Sequence, residues 1–316
     1  MALTLAEAAK LSQDSLQRGV IETFVIESSV LDRIPLVPIQ GNAYAYNEEA
    51  TLPGVEFRAV NSAYAESTGT VNPRTETLVI LGGDADVDTF IAKTRGNIND
   101  QRAIQERLKV KAATFKYQDA FINGDTAVDA NSFDGLKKRL TGAQVISTAT
   151  NGLAVLGADD TARQSFLDRL DELVSLVPGG PDALYMNRAI LGKVMSSFRR
   201  LNIATTPVGE KQTPSYQGIP LLDIGKKADG TEIIPQTETQ GTSNVASSIY
   251  AVKFSESEAE AGVAGLYSGT ENEPPFDVRD LGEIDSKPVF RTRIEGFLGL
   301  AVFGKGGARL TGVLNS

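Results

Sequence analysis

The chain has no cysteine, no histidine and no tryptophan. Without cysteine it can form no disulfide and offers no thiolate nucleophile. Without histidine it lacks the usual general base near neutral pH and the commonest zinc ligand. Carboxylate, lysine, serine and tyrosine chemistry are what remain. Positive charge is also scarce: 31 Lys and Arg stand against 40 Asp and Glu, for a net charge of −9. A free nucleic-acid binder is normally basic, which argues against that class. No apolar run approaches the ~20 residues needed to span a bilayer. The start, Met1-Ala-Leu-Thr-Leu-Ala-Glu, has no charged segment followed by an apolar stretch, so no signal peptide is expected and a cytoplasmic origin is.

What is present is 316 residues, 41% of them hydrophobic, enough for one large or two medium domains. The most informative segment is a helix expected over residues 97–122 and stopped at Asn123-Gly124-Asp125. Its apolar residues Ile104, Leu108, Ala112, Phe115 and Ile122 recur at helical spacing, which predicts an amphipathic helix. Residues 4–17 read as a short amphipathic helix carrying Leu5, Ala8, Ala9, Leu11 and Leu16, too short to be stable without a partner. Val20 to Ile39 is β-branched and apolar, and Pro35 and Pro38 suit an extended arm.

Residues 40–92 read as a long hairpin. Ala43 to Tyr46 and Val55 to Val60 alternate as strands do, residues 61–73 form a small polar tip, and Thr75 to Gly83 returns. Such a hairpin is marginal alone and is expected to lie on another subunit. From about 140 to 265 a compact α/β region follows. It has helices beginning at Asp160 and Ala189, short strands at Leu184, Gly218 and Ser248, and a polar loop over 225–245. Pro288 to Phe303 carries the strongest strand pattern, and Gly304-Lys-Gly-Gly allows a turn into Ala308 to Leu314.

Charge is unevenly distributed. The hairpin carries Glu48, Glu49, Glu56, Glu66, Glu76, Asp84, Asp86 and Asp88 against Arg58 and Arg74 alone. The helix carries Arg102, Arg107, Lys109, Lys111 and Lys116 against Asp100, Glu106 and Asp119. An acidic arm followed by a basic helix suits head-to-tail contact between copies, where complementary charge steers encounter and register. The alternative is that both are ordinary solvated faces. On the first reading, Glu48, Glu49, Glu56, Glu66 and Glu76 of one copy meet Arg102, Arg107, Lys109 and Lys111 of the next.

Other motifs yield little chemistry. Asp84-Ala-Asp-Val-Asp resembles the start of a calcium loop, but Thr89 and Arg95 stand where a glycine and a glutamate are needed. Gly304-Lys-Gly-Gly-Ala-Arg has neither phosphate-loop spacing nor a following helix. No nucleophile-elbow or Ser-x-x-Lys pattern accompanies the serines. No catalytic residue, cofactor site or metal site is expected.

The order of these parts resembles the major capsid proteins of tailed bacteriophages that share the HK97 fold. Phe121-Ile-Asn-Gly-Asp followed by Phe133-Asp-Gly-Leu is similar to the stretch that leaves the spine helix in such proteins. The resemblance implies an α+β capsid fold. It would comprise an N-terminal arm (1–35), an extended loop reaching over a neighbour (36–92), a peripheral domain (93–139 and 266–316) with the spine helix at 97–122, and an axial α/β domain (140–265). It implies self-assembly into pentamers and hexamers around double-stranded DNA in a virion, with assembly in the host cytoplasm. An acidic wall would keep DNA from sticking to it.

Further partners implied are a portal protein and a decoration or cementing protein, with no membrane involved. Some family members join a loop lysine to a neighbour's asparagine. No lysine lies between Lys10 and Lys93 here, so a non-covalent shell is expected. No long charged helix precedes the arm, so a separate scaffolding protein is expected. Two other readings stay open: an encapsulin-like compartment with enzyme cargo, and a carboxylate-dependent hydrolase.

Overall fold

The computed structural model describes residues 28–91, 101–203, 213–270 and 274–315. The segment expected as a helix over 4–17, most of the arm, and the beginning of the long helix lie outside the described residues. In chain order the elements are β1 (Leu36–Ile39), β2 (Ala43–Thr51), β3 (Thr70–Thr77), β4 (Val79–Asp88), α1 (Gln101–Asn123), α2 (Leu136–Arg139), β5 (Val145–Ser147), β6 (Leu153–Ala154), α3 (Asp160–Ser175) and β7 (Ala183–Met186). There follow α4 (Arg188–Arg200), β8 (Ser215–Tyr216), β9 (Ile219–Asp223), β10 (Glu238–Gln240), β11 (Ser243–Val252), β12 (Gly262–Ser268), β13 (Phe276–Glu283), β14 (Val289–Phe303) and β15 (Gly307–Leu314).

Two sheets organise the chain. In the first, β1, β12, β14 and β13 lie in that order and β4 also pairs with β14. In the second, the order is β5, β15, β11, β7, β9, β8, with β10 on β11 and β6 on β15. The turn after Phe303 therefore does not close a hairpin. It carries the chain from the first sheet into the second, where β15 runs antiparallel to β11. β11 alternates Tyr250 and Val252 into one core with Ile249 and Ala251 into the other, the period-2 consequence of a strand buried on both faces.

Helix α1, about 35 Å long at 1.5 Å per residue, lies over the first sheet. Of the apolar stripe read from the sequence, Ile122 is buried and Phe115 half-buried, but its first three residues are not on the buried face. Ile104 and Leu108 are 41% and 54% exposed, and Ala112 is exposed. Besides Ile122 the helix buries Val110, Tyr117, Ala120 and Phe121, because the large rings of its C-terminal half set which side turns inward. Glu106 accepts a hydrogen bond from Thr292 at 2.6 Å, and Gln118 donates to Ser28 at 3.0 Å. Helices α3 and α4 cover the far face of the second sheet. Each starts at a side-chain cap: Asp159 accepts from the Ala162 amide and Asn187 from the Ile190 amide, both at 2.8 Å.

Two expectations need correction. Val55 to Val60 is not a strand. The ladder between β2 and β3 ends at Thr51 and Thr70, and Pro53 and Gly54 turn the chain out of it. The 225–245 stretch is not merely a polar loop either. It contains β10 and the fully buried Ile233 and Ile234.

The exit from α1 depends on two glycines. The Gly135 amide donates to the Gly124 carbonyl at 2.9 Å. A Cβ on Gly124 would stand 2.2 Å from the Phe133 carbonyl oxygen, and one on Gly135 would stand 2.4 Å from that of Ala120. Replacing Gly124 by Ala is expected to cost about 2 kcal/mol or more, since backbone must move. Gly192→Ala, in open space on α4, is expected to be neutral or stabilising by up to ~1 kcal/mol. Thermal unfolding of the two variants checks the contrast.

Candidate assembly surfaces

Residues 52–69 join β2 to β3 and are exposed throughout. Leu52, Val55, Phe57, Val60 and Tyr64 are 77%, 94%, 108%, 89% and 66% exposed. Five large apolar side chains exposed on one loop are a feature of interaction surfaces. The loop has internal order. Arg58 stacks over the Tyr64 ring at 5.1 Å and donates to the Ser62 carbonyl. Glu56 accepts from the Ala65 amide at 2.7 Å, and Ser67 donates to the Gly54 carbonyl at 2.9 Å. Polar side chains thus bind the loop to itself and leave its apolar ones outward.

The root of the hairpin is locked to the body. Arg139 of α2 makes a two-pronged ion pair with Glu76 of β3, and their side chains are 16% and 11% exposed. Tyr46 of β2 donates to the Val302 carbonyl at 2.9 Å, stands 3.2 Å from Glu76, and meets Phe303 edge-on at 5.1 Å. Burial, and then the Glu76 carboxylate, pushes the Tyr46 phenol up to about 12. Burial alone would lower Arg139, but its hydrogen bonds and charge contact with Glu76 outweigh that and hold it above its ordinary value. Arg139 also donates to the Asp134 carbonyl at 2.6 Å. Next to it Lys138 bridges Asp125 and Asp134 at 2.7 and 2.9 Å. The Phe-Asp-Gly-Leu stretch therefore joins hairpin, helix and sheet.

The first sheet has two unlike faces. Ile294, Leu298 and Leu300 of β14 point towards α1. Ala301 and Phe303 point the other way, where Tyr46, Tyr44 and Leu78 cover them. Further along that second face the cover ends. Ile80 and Phe297, register partners on β4 and β14, are 67% and 41% exposed. Beyond them runs a ladder of charge. Arg293 grips Asp84 at 2.7 and 2.9 Å, and Arg291 grips Asp86 at 2.6 Å through both oxygens. Arg279 of β13 reaches Asp277 and Glu295 at 2.7 and 3.3 Å. The hydrogen bonds from Arg293 and Arg291 hold Asp84 and Asp86 below the usual carboxylate value.

The residues singled out from sequence fall into different settings. Glu48 pairs with Arg74 at 3.0 Å. Glu49 and Glu66 are exposed, Glu56 is used within the loop, and Glu76 is buried at the root. Arg107 is exposed on α1, Lys109 lies against Gly83, and Lys111 sits 5.6 Å over the Phe115 ring. The side chain of Arg102 lies outside the described residues. Asp84, Asp86 and Asp88 belong to a body strand rather than to the hairpin, so its acidic count is lower than the sequence reading made it. What that reading missed is Arg291 and Arg293, whose i, i+2 spacing matches that of Asp84 and Asp86. Among the described residues no group of three or more metal-ligating side chains is gathered, and no described helix is long and apolar enough to cross a membrane.

Removing one partner of the buried pair should cost more than removing both. Glu76→Gln is expected to lose about 3 kcal/mol, and the double variant Glu76→Gln/Arg139→Met clearly less. A double-mutant cycle in denaturant measures this. The ladder makes a second prediction. Asp84 and Asp86 bind protons less readily folded than unfolded, so their contribution is present above about pH 4 and lost as pH falls through the lower folded values. Arg291→Gln/Arg293→Gln should flatten the stability profile below about pH 5, as read by denaturant melts across pH.

The family described as "Major capsid protein GP7" matches residues 13–166. No curated protein sequence matches the chain. Among solved structures, the SrpI encapsulin complex from Synechococcus elongatus PCC 7942 superposes with a TM-score of 0.64 at 19% identity, covering 90% of this chain and 87% of that one. The capsid of a native GTA particle gives 0.63 at 14% identity, with 91% and 90% covered. Mycobacterium phage Bobi gives 0.57 at 14% identity, with 90% and 89% covered.

Proposed function

We propose, from a chain with the HK97 capsid fold whose residues 13–166 match a major capsid protein family, that it is a structural shell protein and that many copies close into an icosahedral shell of pentamers and hexamers around double-stranded DNA. The observation that carries this reading is the hairpin loop. Its five large apolar side chains, each at least 66% exposed, have no use in an isolated subunit, whereas a rigidly rooted arm suits a protein whose partner is itself. On this reading the hairpin is the extended arm. The first sheet with α1 is the peripheral domain, and the second sheet with α3 and α4 is the axial domain. β15 then counts with the axial part, since it pairs with β11, β5 and β6.

The shell is held without isopeptide bonds, because no lysine lies between Lys10 and Lys93 to act as nucleophile. A net charge of −9 suits a wall that must not bind its polyanionic contents tightly. A scaffolding protein, a portal and a decoration protein complete the particle, which assembles in the host cytoplasm. The likeness to an encapsulin favours a second reading, a compartment filled with protein cargo. Nucleic acid content of native particles separates the two: DNA supports the capsid, and protein cargo without DNA the compartment.

The test of assembly is direct. Electron microscopy of the protein produced with a scaffolding partner should show closed shells or rings of five and six. Replacing residues 53–68 by a short Gly-Ser link should leave the thermal midpoint within a few degrees, since the loop contributes no buried core, and abolish the shells. Dispersed, folded monomers from the unaltered chain would overturn the proposal.

A further inference from the structure

The backbone ladder between β2 and β3 ends at Thr51 and Thr70, but the order of the hairpin continues beyond it. Pro53 has no amide to donate, so regular pairing cannot pass it. Side chains take over as rungs. The Thr51 and Thr70 hydroxyls lie 2.6 Å apart, and the Thr70 amide donates to Thr51 Oγ1 at 3.2 Å. Ser67 Oγ donates to the Gly54 carbonyl, and the Ala65 amide donates to Glu56 Oε1. Arg58 donates to the Ala59 and Ser62 carbonyls at 3.4 and 3.2 Å and lies over the Tyr64 ring. The Thr51–Thr70, Gly54–Ser67 and Glu56–Ala65 pairs are symmetric about one turn, Ala59 to Ser62. In that turn the Ser62 amide and hydroxyl both donate to the Ala59 carbonyl, and Asn61 takes a left-handed φ of 66°. The loop thus prolongs the hairpin in register, held by side chains where backbone pairing has stopped.

We propose that Arg58 is the positioning residue of this loop, and that it holds residues 52–69 in their contact shape in the free subunit, before a second copy is met. It is the only cation between residues 52 and 69, and it serves two carbonyls and a ring at once. Charge-assisted hydrogen bonds and a cation over a ring are stronger than neutral contacts. The remaining rungs are exposed to water, where a single hydrogen bond returns little, so the shape depends on the strongest of them. Gly54, Glu56 and Arg58 are used across the loop, and Val55 and Phe57, which alternate with them, stand out into solvent. The consequence for assembly rests on the shell reading above. A preformed loop presents its apolar side chains without the ordering cost that a floppy one would subtract from every contact.

The test uses the full chain. Arg58→Ala should raise the exchange rate of the Ala65 amide by about tenfold in unassembled subunits and leave the thermal midpoint within about two degrees. It should also raise several-fold the subunit concentration at which shells appear. A crosslink then separates shaping from direct contact. A Cβ on Gly54 would stand 3.7 Å from that of Ser67, a spacing that suits a disulfide, and the chain has no native cysteine to interfere. Gly54→Cys/Ser67→Cys, added to Arg58→Ala and oxidised, should return the assembly threshold towards that of the parent, and reductant should undo the rescue. A raised threshold that the disulfide does not lower would mean that Arg58 touches the partner itself, and would overturn the proposal. Unchanged Ala65 exchange in Arg58→Ala would overturn it as well. If the unaltered chain forms no shell, the assembly reading fails, while the exchange measurement still decides whether Arg58 shapes the loop.

Discussion

The paired approach of Gly124 and Gly135 is the constraint on which the rest of the molecule depends. Because neither residue carries a side chain, the end of α1 and the start of α2 come close enough to share a backbone hydrogen bond. That contact fixes α2, and α2 presents Arg139 to Glu76 at the hairpin root. From the other side Asn123 donates to the Ile233 carbonyl at 2.7 Å, which brings the buried end of the 225–245 stretch against the helix. One turn thus sets the hairpin, the long helix and the second sheet in relation to one another. In the proposed shell a rigid relation matters, since a small angular error at each root would accumulate around a closed ring.

The buried ion pair is better understood as a device for direction than for stability. Taking two charges from water costs about as much as their attraction returns, and an apolar pair could hold the same elements together. What an apolar pair would lack is the fixed two-pronged geometry of guanidinium on carboxylate, which admits one orientation. Tyr46 adds a third contact to the same knot through Val302 and Phe303. The loop beyond carries no core of its own, so its position in space is the position of this root.

Much of the architecture was legible in the sequence. Helices α3 and α4 follow from apolar spacing, and β14 from an uninterrupted β-rich run. The Asn-Gly-Asp and Phe-Asp-Gly-Leu stretches carry the resemblance to capsid proteins, and the close approach of their two glycines gives a physical reason for them. What could not be read was facing. Ile104, Leu108 and Ala112 form as good a helical stripe as Val110, Tyr117 and Phe121, and only the sheet beneath decides between them. The acidic count of the hairpin was too high for a similar reason. Asp84 and Asp86 looked unpaired because their partners, Arg291 and Arg293, lie more than 200 residues away. Long-range pairing is invisible to composition, although the matching i, i+2 spacings were present in both strands.

A chain of net charge −9 should repel its own copies, and the way its charges are spent answers that difficulty. The ladder on the open sheet face sets Arg279, Arg291 and Arg293 against four carboxylates within one subunit. The loop uses Glu56 and Arg58 to hold its own shape. On both surfaces, charge is therefore largely paired within the subunit. Charge satisfied within the subunit needs little desolvation at the contact, so the apolar side chains of the loop are free to supply the association. In the proposed shell, strength then depends on many identical weak contacts rather than on one strong pair.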